Sequence, residues 1–193
     1  MKISVVYIFF FIVCFFSVHS YSSEKIKVEA LSYFNTIHSF KAEFVQTNSA
    51  NNVAQYGTLI MKKPGLLKWD YYAPTPASII IQGTTISYYD KELEEYSYAI
   101  VNNPIINLLS SDIKNIEDII FTNISTVDNN KIITLQDKKT QILAAVVFNV
   151  NPITIVGLNI INPDSTIYIK FYNIQNNITI EESEFKHNTF YYN

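Results

Sequence analysis

Hydrophobic and polar residues follow one another along this chain in two rhythms. From Ser23 to Ser39 the apolar residues Ile26, Ala30, Phe34 and Ile37 recur at steps of three and four, flanked by Leu31 and Tyr33, with Lys25, Lys27 and Glu29 off the stripe. That spacing predicts an amphipathic helix of about four turns. The period then drops to two: Phe40, Ala42 and Phe44 alternate with Lys41, Glu43 and Val45, the pattern of a half-buried strand. A second strand follows over 53–61 and ends in Lys62-Lys63-Pro64-Gly65, a turn in which proline presets φ and glycine accepts a positive φ. Leu67, Trp69 and Tyr71 share one face of a third strand, and further strands are predicted over 79–82, 85–90 and 93–98.

Between 103 and 121 the alternation stops. Asn103-Pro104 suits a helix start, with a capping side chain and then proline at the first helical position. Ile105, Ile106, Leu108 and Leu109 form a short, very apolar helical piece. Ser110-Ser111-Asp112 caps a second piece, with Ile113, Ile116 and Ile120 on one face. Strands resume over 131–135, 142–150, 154–161 and 166–173, with a last one near 178–185. Some ten strands joined by short turns imply an antiparallel sheet that curls, and the helices then lie across its concave face. The predicted class is mainly β with an α lid.

The first residues belong to a different grammar. Met1-Lys2 is followed by an apolar run from Ile3 to Val18 broken only by two serines, which is short for a bilayer span and right for a secretory signal. Val18-His19-Ser20 supplies a cleavage site, so 1–20 read as a cleaved signal peptide and 21–193 as one exported domain. Val13 before Cys14 does not match a lipobox. Cleavage removes Cys14, the only cysteine, so the mature chain has neither disulfide nor thiolate chemistry. All fourteen basic residues are lysine, and cleavage leaves 13 of them against 17 acids. A chain of this charge without arginine has no nucleic-acid footprint and no bidentate anion clamp.

Reactive chemistry is scarce. His38 and His187 are far apart and without cysteines, so no metal site is expected. The sequence has no phosphate-binding glycine loop and no Gly-x-Ser-x-Gly elbow. The acidic groups Glu92-Glu94-Glu95 and Glu181-Glu182-Glu184 read as solvated faces. The richest feature is apolar: Phe44, Leu59, Met61, Leu67, Trp69, Tyr71, Ile79, Ile81 and Tyr89 sit on strand faces that either fill a core or line a pocket. Aromatics mixed with methionine suit an adaptable apolar pocket.

Phe44-Val45-Gln46, then Tyr56-Gly57-Thr58-Leu59, then Lys62-Lys63-Pro64-Gly65, Leu67-Lys68-Trp69, Pro74, Gly83 and Tyr88-Tyr89-Asp90 stand in a distinctive order. In that order they resemble the outer-membrane lipoprotein carrier family (LolA), over about 24–186. The resemblance implies an incomplete, strongly curved antiparallel β-barrel closed by a helical lid over an apolar cavity. It implies a non-enzymatic periplasmic carrier, without cofactor, that takes acylated lipoproteins from an inner-membrane ATP-driven releasing transporter to the outer membrane. An outer-membrane receptor for the cargo is a further possible partner, and the carrier is expected to be a monomer. The family commonly has arginine in the basic turn, where it bonds lid backbone carbonyls. Lys63 stands there and is the expected lid latch, alone or with Lys62. Ser87 stands where many relatives have tryptophan.

Two other readings compete: a small integral outer-membrane β-barrel, and a lipid- or lipoprotein-sensing periplasmic regulator built on the same barrel. A lipid hydrolase is a third, for which the common catalytic parts are missing.

Overall fold

The computed structural model describes residues 18–51, 53–100, 106, 108, 109 and 117–187. Helix α1 (Val18–Asn35) precedes eleven strands: β1 (Ser39–Asn48), β2 (Ala54–Lys62), β3 (Leu66–Ala73), β4 (Ala77–Gln82), β5 (Thr85–Asp90), β6 (Glu95–Ile100), β7 (Ile119–Val127), β8 (Asn130–Asp137), β9 (Leu143–Val150), β10 (Ile153–Ile161) and β11 (Thr166–Asn176). They form one open, curved antiparallel sheet in the order β6-β5-β4-β3-β2-β1-β11-β10-β9-β8-β7. The expected mainly-β class and incomplete barrel are what this sheet is.

The order explains the shape. Two meanders, β1–β6 and β7–β11, are joined side by side by the pairing of β1 with β11. Strands β6 and β7 are then the two outer edges, yet they follow one another in the chain. Of the connection between them, Leu108 and Leu109 are helical and buried in the main core on the inner face of the sheet. That inner face also carries Phe40, Phe44, Leu59, Met61, Leu67, Ile81, Val146, Phe148, Leu158, Ile169 and Phe171, all buried.

Helix α1 covers the β7–β9 half of the same face. Ala30, Phe34 and Ile37 from the predicted stripe are fully buried. The Phe34 ring stands edge-on to Phe148 at 5.2 Å and lies 6.4 Å from Phe121, while Tyr33 lies 5.4 Å from Phe148. Glu29 pairs with Lys131 on β8 at 3.0 Å. The helix starts at Val18 and ends at Asn35, earlier at both ends than the apolar period predicts. Ile37 keeps its place in the stripe from the turn that follows.

Two elements differ from expectation. Strand β7 replaces the end of the predicted second lid helix: Ile120 lies in it, whereas Ile113, Ile116 and Ile105 fall outside the described residues. A register irregularity between Phe121 and Asn123 breaks the two-residue alternation that would have revealed this strand. The predicted last strand is instead an extended strap, ending in a 3₁₀ turn at Glu182–Phe185. It cannot join the sheet, because β11 already has β10 and β1 on its two sides. It crosses the outer face of β2–β5 and buries Ile180 and Phe185 against Ile60 and Ile80.

Side-chain donors from the sheet tie the strap's carbonyls: Lys62 Nζ to Ile180 O at 2.8 Å, Lys68 Nζ to Lys186 O at 2.8 Å, and Gln82 Nε2 to Phe185 O at 3.4 Å. At its end His187 Nε2 shares a 2.7 Å hydrogen bond with Ser87 Oγ, and the imidazole packs against the stacked Tyr89 and Tyr96 rings. Burial pushes the His187 imidazole below its ordinary 6.5, and the nearby Lys68 adds to the shift. The free chain therefore takes up a proton before the docked strap does. Docking is unaffected above about pH 6.5 and weakens as the pH falls below it. Amide hydrogen exchange of residues 178–187 is expected to speed up relative to the sheet between pH 7 and 5, and a His187→Gln variant is expected to lose that dependence.

Candidate functional site

The inner face is built by register. Trp69 pairs with Leu59 and Ile79, and Leu67 with Met61 and Ile81, so these side chains stand in neighbouring rows on one side of β2–β4. Phe44 touches both Trp69 and Tyr71 edge-on, at 5.4 and 5.2 Å between ring centroids. Eight of the nine residues singled out in the sequence thus share this wall. Tyr89 does not. It pairs with Ser78, which pairs with Asp70 on the outer face, so Tyr88, opposite Ile79, holds the inner position instead. A one-residue slip along a strand exchanges its faces, and two adjacent tyrosines give no signal of which one points inward. Ser87 is likewise on the outer face, bonded to His187.

Gly57 makes the aromatic cluster possible. It pairs with Phe44 and Tyr71, and a Cβ there would lie 2.8 Å from the Phe44 ring and 2.1 Å from the Asp70 carbonyl oxygen. The glycine lets the phenyl ring lie flat over the backbone.

Over this wall sits Leu109. With Phe40, Leu59, Met61, Leu67, Trp69, Ile155, Leu158 and Phe171 it encloses a residual cavity of only about 20 Å³, room for little more than one water. The expected apolar cavity is therefore filled here by the protein's own side chains. A wider depression of about 790 Å³ lies on the outer face over β1, β11 and β10. Val45, Val147, Val156 and Tyr168 line it together with Thr47, Asn149, Asn159 and Lys170, and it is open to solvent, so a hydrocarbon placed there would stay wet.

Helix α1 is tied to the sheet at the Lys62–Gly65 turn. Lys63 Nζ donates to Phe34 O at 2.7 Å, in the last turn of α1. That turn has no basic residue of its own, and its carbonyls carry the negative end of the helix dipole. Asn177 completes the cap, its Nδ2 donating to Thr36 O at 2.8 Å and its Oδ1 accepting from His38 N at 2.7 Å. The sequence suggested Lys63 toward the lid, but nothing in it pointed to Asn177.

The family described as "Outer membrane lipoprotein carrier protein LolA" matches residues 35–188. The chain belongs to the LolA family. It is 30% identical over 152 residues to the outer-membrane lipoprotein carrier protein of Francisella tularensis, covering 73% of each. It is also 28% identical over 160 residues to an uncharacterized protein of Rickettsia prowazekii, covering 82% of this chain and 75% of that one. Its fold is similar to a LolA superfamily protein of Nitrosomonas europaea (TM-score 0.50, 8% identity, 86% of this chain and 97% of that one). A putative outer membrane lipoprotein-sorting protein domain from Vibrio parahaemolyticus is similar too (TM-score 0.51, 10% identity, with the same coverage).

Because the LolA wall here depends on a ring lying over Gly57, a Gly57→Ala variant is expected to lose about 1–3 kcal/mol of stability. A urea unfolding midpoint unchanged from the parent protein would overturn this account of the cluster.

Proposed function

We propose that this LolA-family chain is a periplasmic carrier that takes the acyl chains of lipoproteins onto its inner wall and carries them from the inner to the outer membrane, without catalysis. The observation that supports the reading best is the continuous apolar wall Phe44–Leu59–Met61–Leu67–Trp69–Tyr71–Ile79–Ile81 beneath a separable cover. The cover is α1 with Leu108 and Leu109, and among the described residues α1 is held by Lys63, Asn177 and the Glu29–Lys131 pair instead of by strand pairing. An inner-membrane releasing transporter would load it. An outer-membrane receptor would be the acceptor.

Magnitudes favour exchange over permanent binding. Burying a sixteen-carbon chain at about 0.8 kcal/mol per CH₂ is worth roughly 10 kcal/mol. Cargo spreads over the whole inner face only if Phe34 and Ile37, with Phe34 on its β7–β9 half, and Leu108 and Leu109 leave that face, at about 1.5–3 kcal/mol each. Gain and cost are of one size, so the cargo replaces the cover with little net change and can be handed on. In the same reading Lys63 is the latch, adding one charge-assisted hydrogen bond to the closed side of the balance.

A spanning outer-membrane barrel fits less well. It needs an outward apolar band, whereas this sheet turns its apolar side inward under a helix and carries Lys41, Glu43, Asp70 and Lys170 outside.

Titration of the leaderless protein with a triacylated lipopeptide, followed through Trp69, the single tryptophan, is expected to give a saturable change in emission. No saturable change would overturn the reading. A Lys63→Leu variant weakens only the closed state, so it is expected to bind the lipopeptide about tenfold more tightly and to pass it on more slowly. Equal affinity and equal transfer would remove Lys63 from the mechanism.

A further inference from the structure

The inner wall has a polar interruption in one of its rows. Reading across the sheet by register, Gln55 pairs with Gln46, Gln46 with Ile169, Ile169 with Leu158, Leu158 with Val146, Val146 with Ile133, and Ile133 with Ile124. Five of the seven are aliphatic, and the four between Ile169 and Ile133 are buried. The two glutamines face each other at the end of β1 and β2 remote from the Lys62–Gly65 turn.

They are bonded into a short chain. Tyr71 Oη donates to Gln46 Oε1 at 3.0 Å, and Gln46 Nε2 donates to Gln55 Oε1 at 3.0 Å. Burial pushes the Tyr71 phenol up to about 12, so it stays a protonated donor at physiological pH. The chain has a direction, since each oxygen is used as the acceptor of the donor before it. What remains at its far end is donor capacity: one N–H of Gln46 and both N–H bonds of Gln55 have no partner among the described residues. Gln46 and Gln55 are half-buried, so this capacity lies at the margin of the apolar wall and not sealed within it. The Tyr71 ring continues directly into Phe44 and Trp69, so the donors adjoin the surface on which hydrocarbon would lie.

An uncharged donor group beside an apolar wall suits an acceptor-only partner joined to hydrocarbon. A carboxylate would call for a cation, and a bare alkyl chain would leave the amides unused. We infer that Gln46, Gln55 and Tyr71 form a subsite for the ester and amide carbonyls at the head of the cargo's acyl chains, making the carrier selective for acyl over alkyl lipids. The inference rests on the carrier reading above and adds to it the chemical class recognised at the mouth of the wall. Ester carbonyls occur in both the acylated cysteine of a lipoprotein and a diacyl phospholipid, so the probes must separate the two sources.

The test compares three probes on the leaderless protein by Trp69 emission: a triacylated cysteinyl peptide, its analogue with both glyceryl esters replaced by ethers, and micellar diacyl phosphatidylethanolamine. The parent protein is expected to bind the ester peptide about five- to tenfold more tightly than the ether analogue. Gln55→Leu is expected to abolish that ratio by weakening ester binding while leaving ether binding unchanged. Tyr71→Phe, which keeps the ring and removes the hydroxyl that orients Gln46, is expected to reduce the ratio by about half. Tighter binding of the peptide than of the phospholipid assigns the carbonyls to lipoprotein, and equal binding assigns them to acyl lipids in general. If the parent protein binds ester and ether forms equally, the subsite is overturned and the carrier reading stands. Both fail if it binds neither. Near-ultraviolet circular dichroism of each variant separates a lost fold from a lost contact, and a Gln55→Leu protein that is folded yet keeps the full ester preference overturns the subsite.

Discussion

The pairing of β1 with β11 is the constraint from which the rest follows. It brings the beginning and the end of the sheet-forming chain side by side and turns two meanders into one surface. Once it is made, β6 and β7 become opposite edges, although they are consecutive along the chain. Of the segment between them, Leu108 and Leu109 pack into the apolar face, and helix α1, which precedes β1, covers the β7–β9 half of the same face.

One turn holds both sides of the sheet. Lys62 and Lys63 are adjacent at the end of β2, so their side chains leave on opposite faces. Lys63 reaches the last carbonyls of α1 over the inner face, and Lys62 reaches Ile180 O of the strap over the outer one. Both bonds run from an ammonium to a backbone carbonyl, which a lysine makes as a single flexible contact where arginine would make a planar fork. Such bonds orient the cover without dominating the energetics of closing it. The large terms are apolar: Leu109 and the wall residues around it leave a void of only about 20 Å³ between them.

How much of this was legible depended on how regular the local pattern is. The wall on β1–β4 reads directly from alternation, since Leu59 and Met61, Leu67, Trp69 and Tyr71, and Ile79 and Ile81 each repeat at period two. Tyr89 failed because Tyr88-Tyr89 offers two equal candidates, and only the pairing of Ser78 with both Asp70 and Tyr89 places it outside. Strand β7 was hidden by a bulge between Phe121 and Asn123 that interrupts its alternation. The strap was misread as a strand because Ile178 and Ile180 have the right period. What disqualified it was the absence of a vacant edge next to β11. The polar row of Gln46 and Gln55 was invisible for a similar reason, since the two are nine residues apart and become neighbours only through register.

Residue order by itself determined the elements and their sidedness: an amphipathic helix, an antiparallel series of strands with one apolar face, an apolar connection, and a basic turn able to reach carbonyls. These are local properties, set by backbone period and side-chain polarity over a few residues. The tertiary structure alone decided which strands met, which tyrosine faced inward, and that the wall is covered by the protein's own side chains. Each of those depends on contacts between residues far apart in the chain, and no local period carries that information.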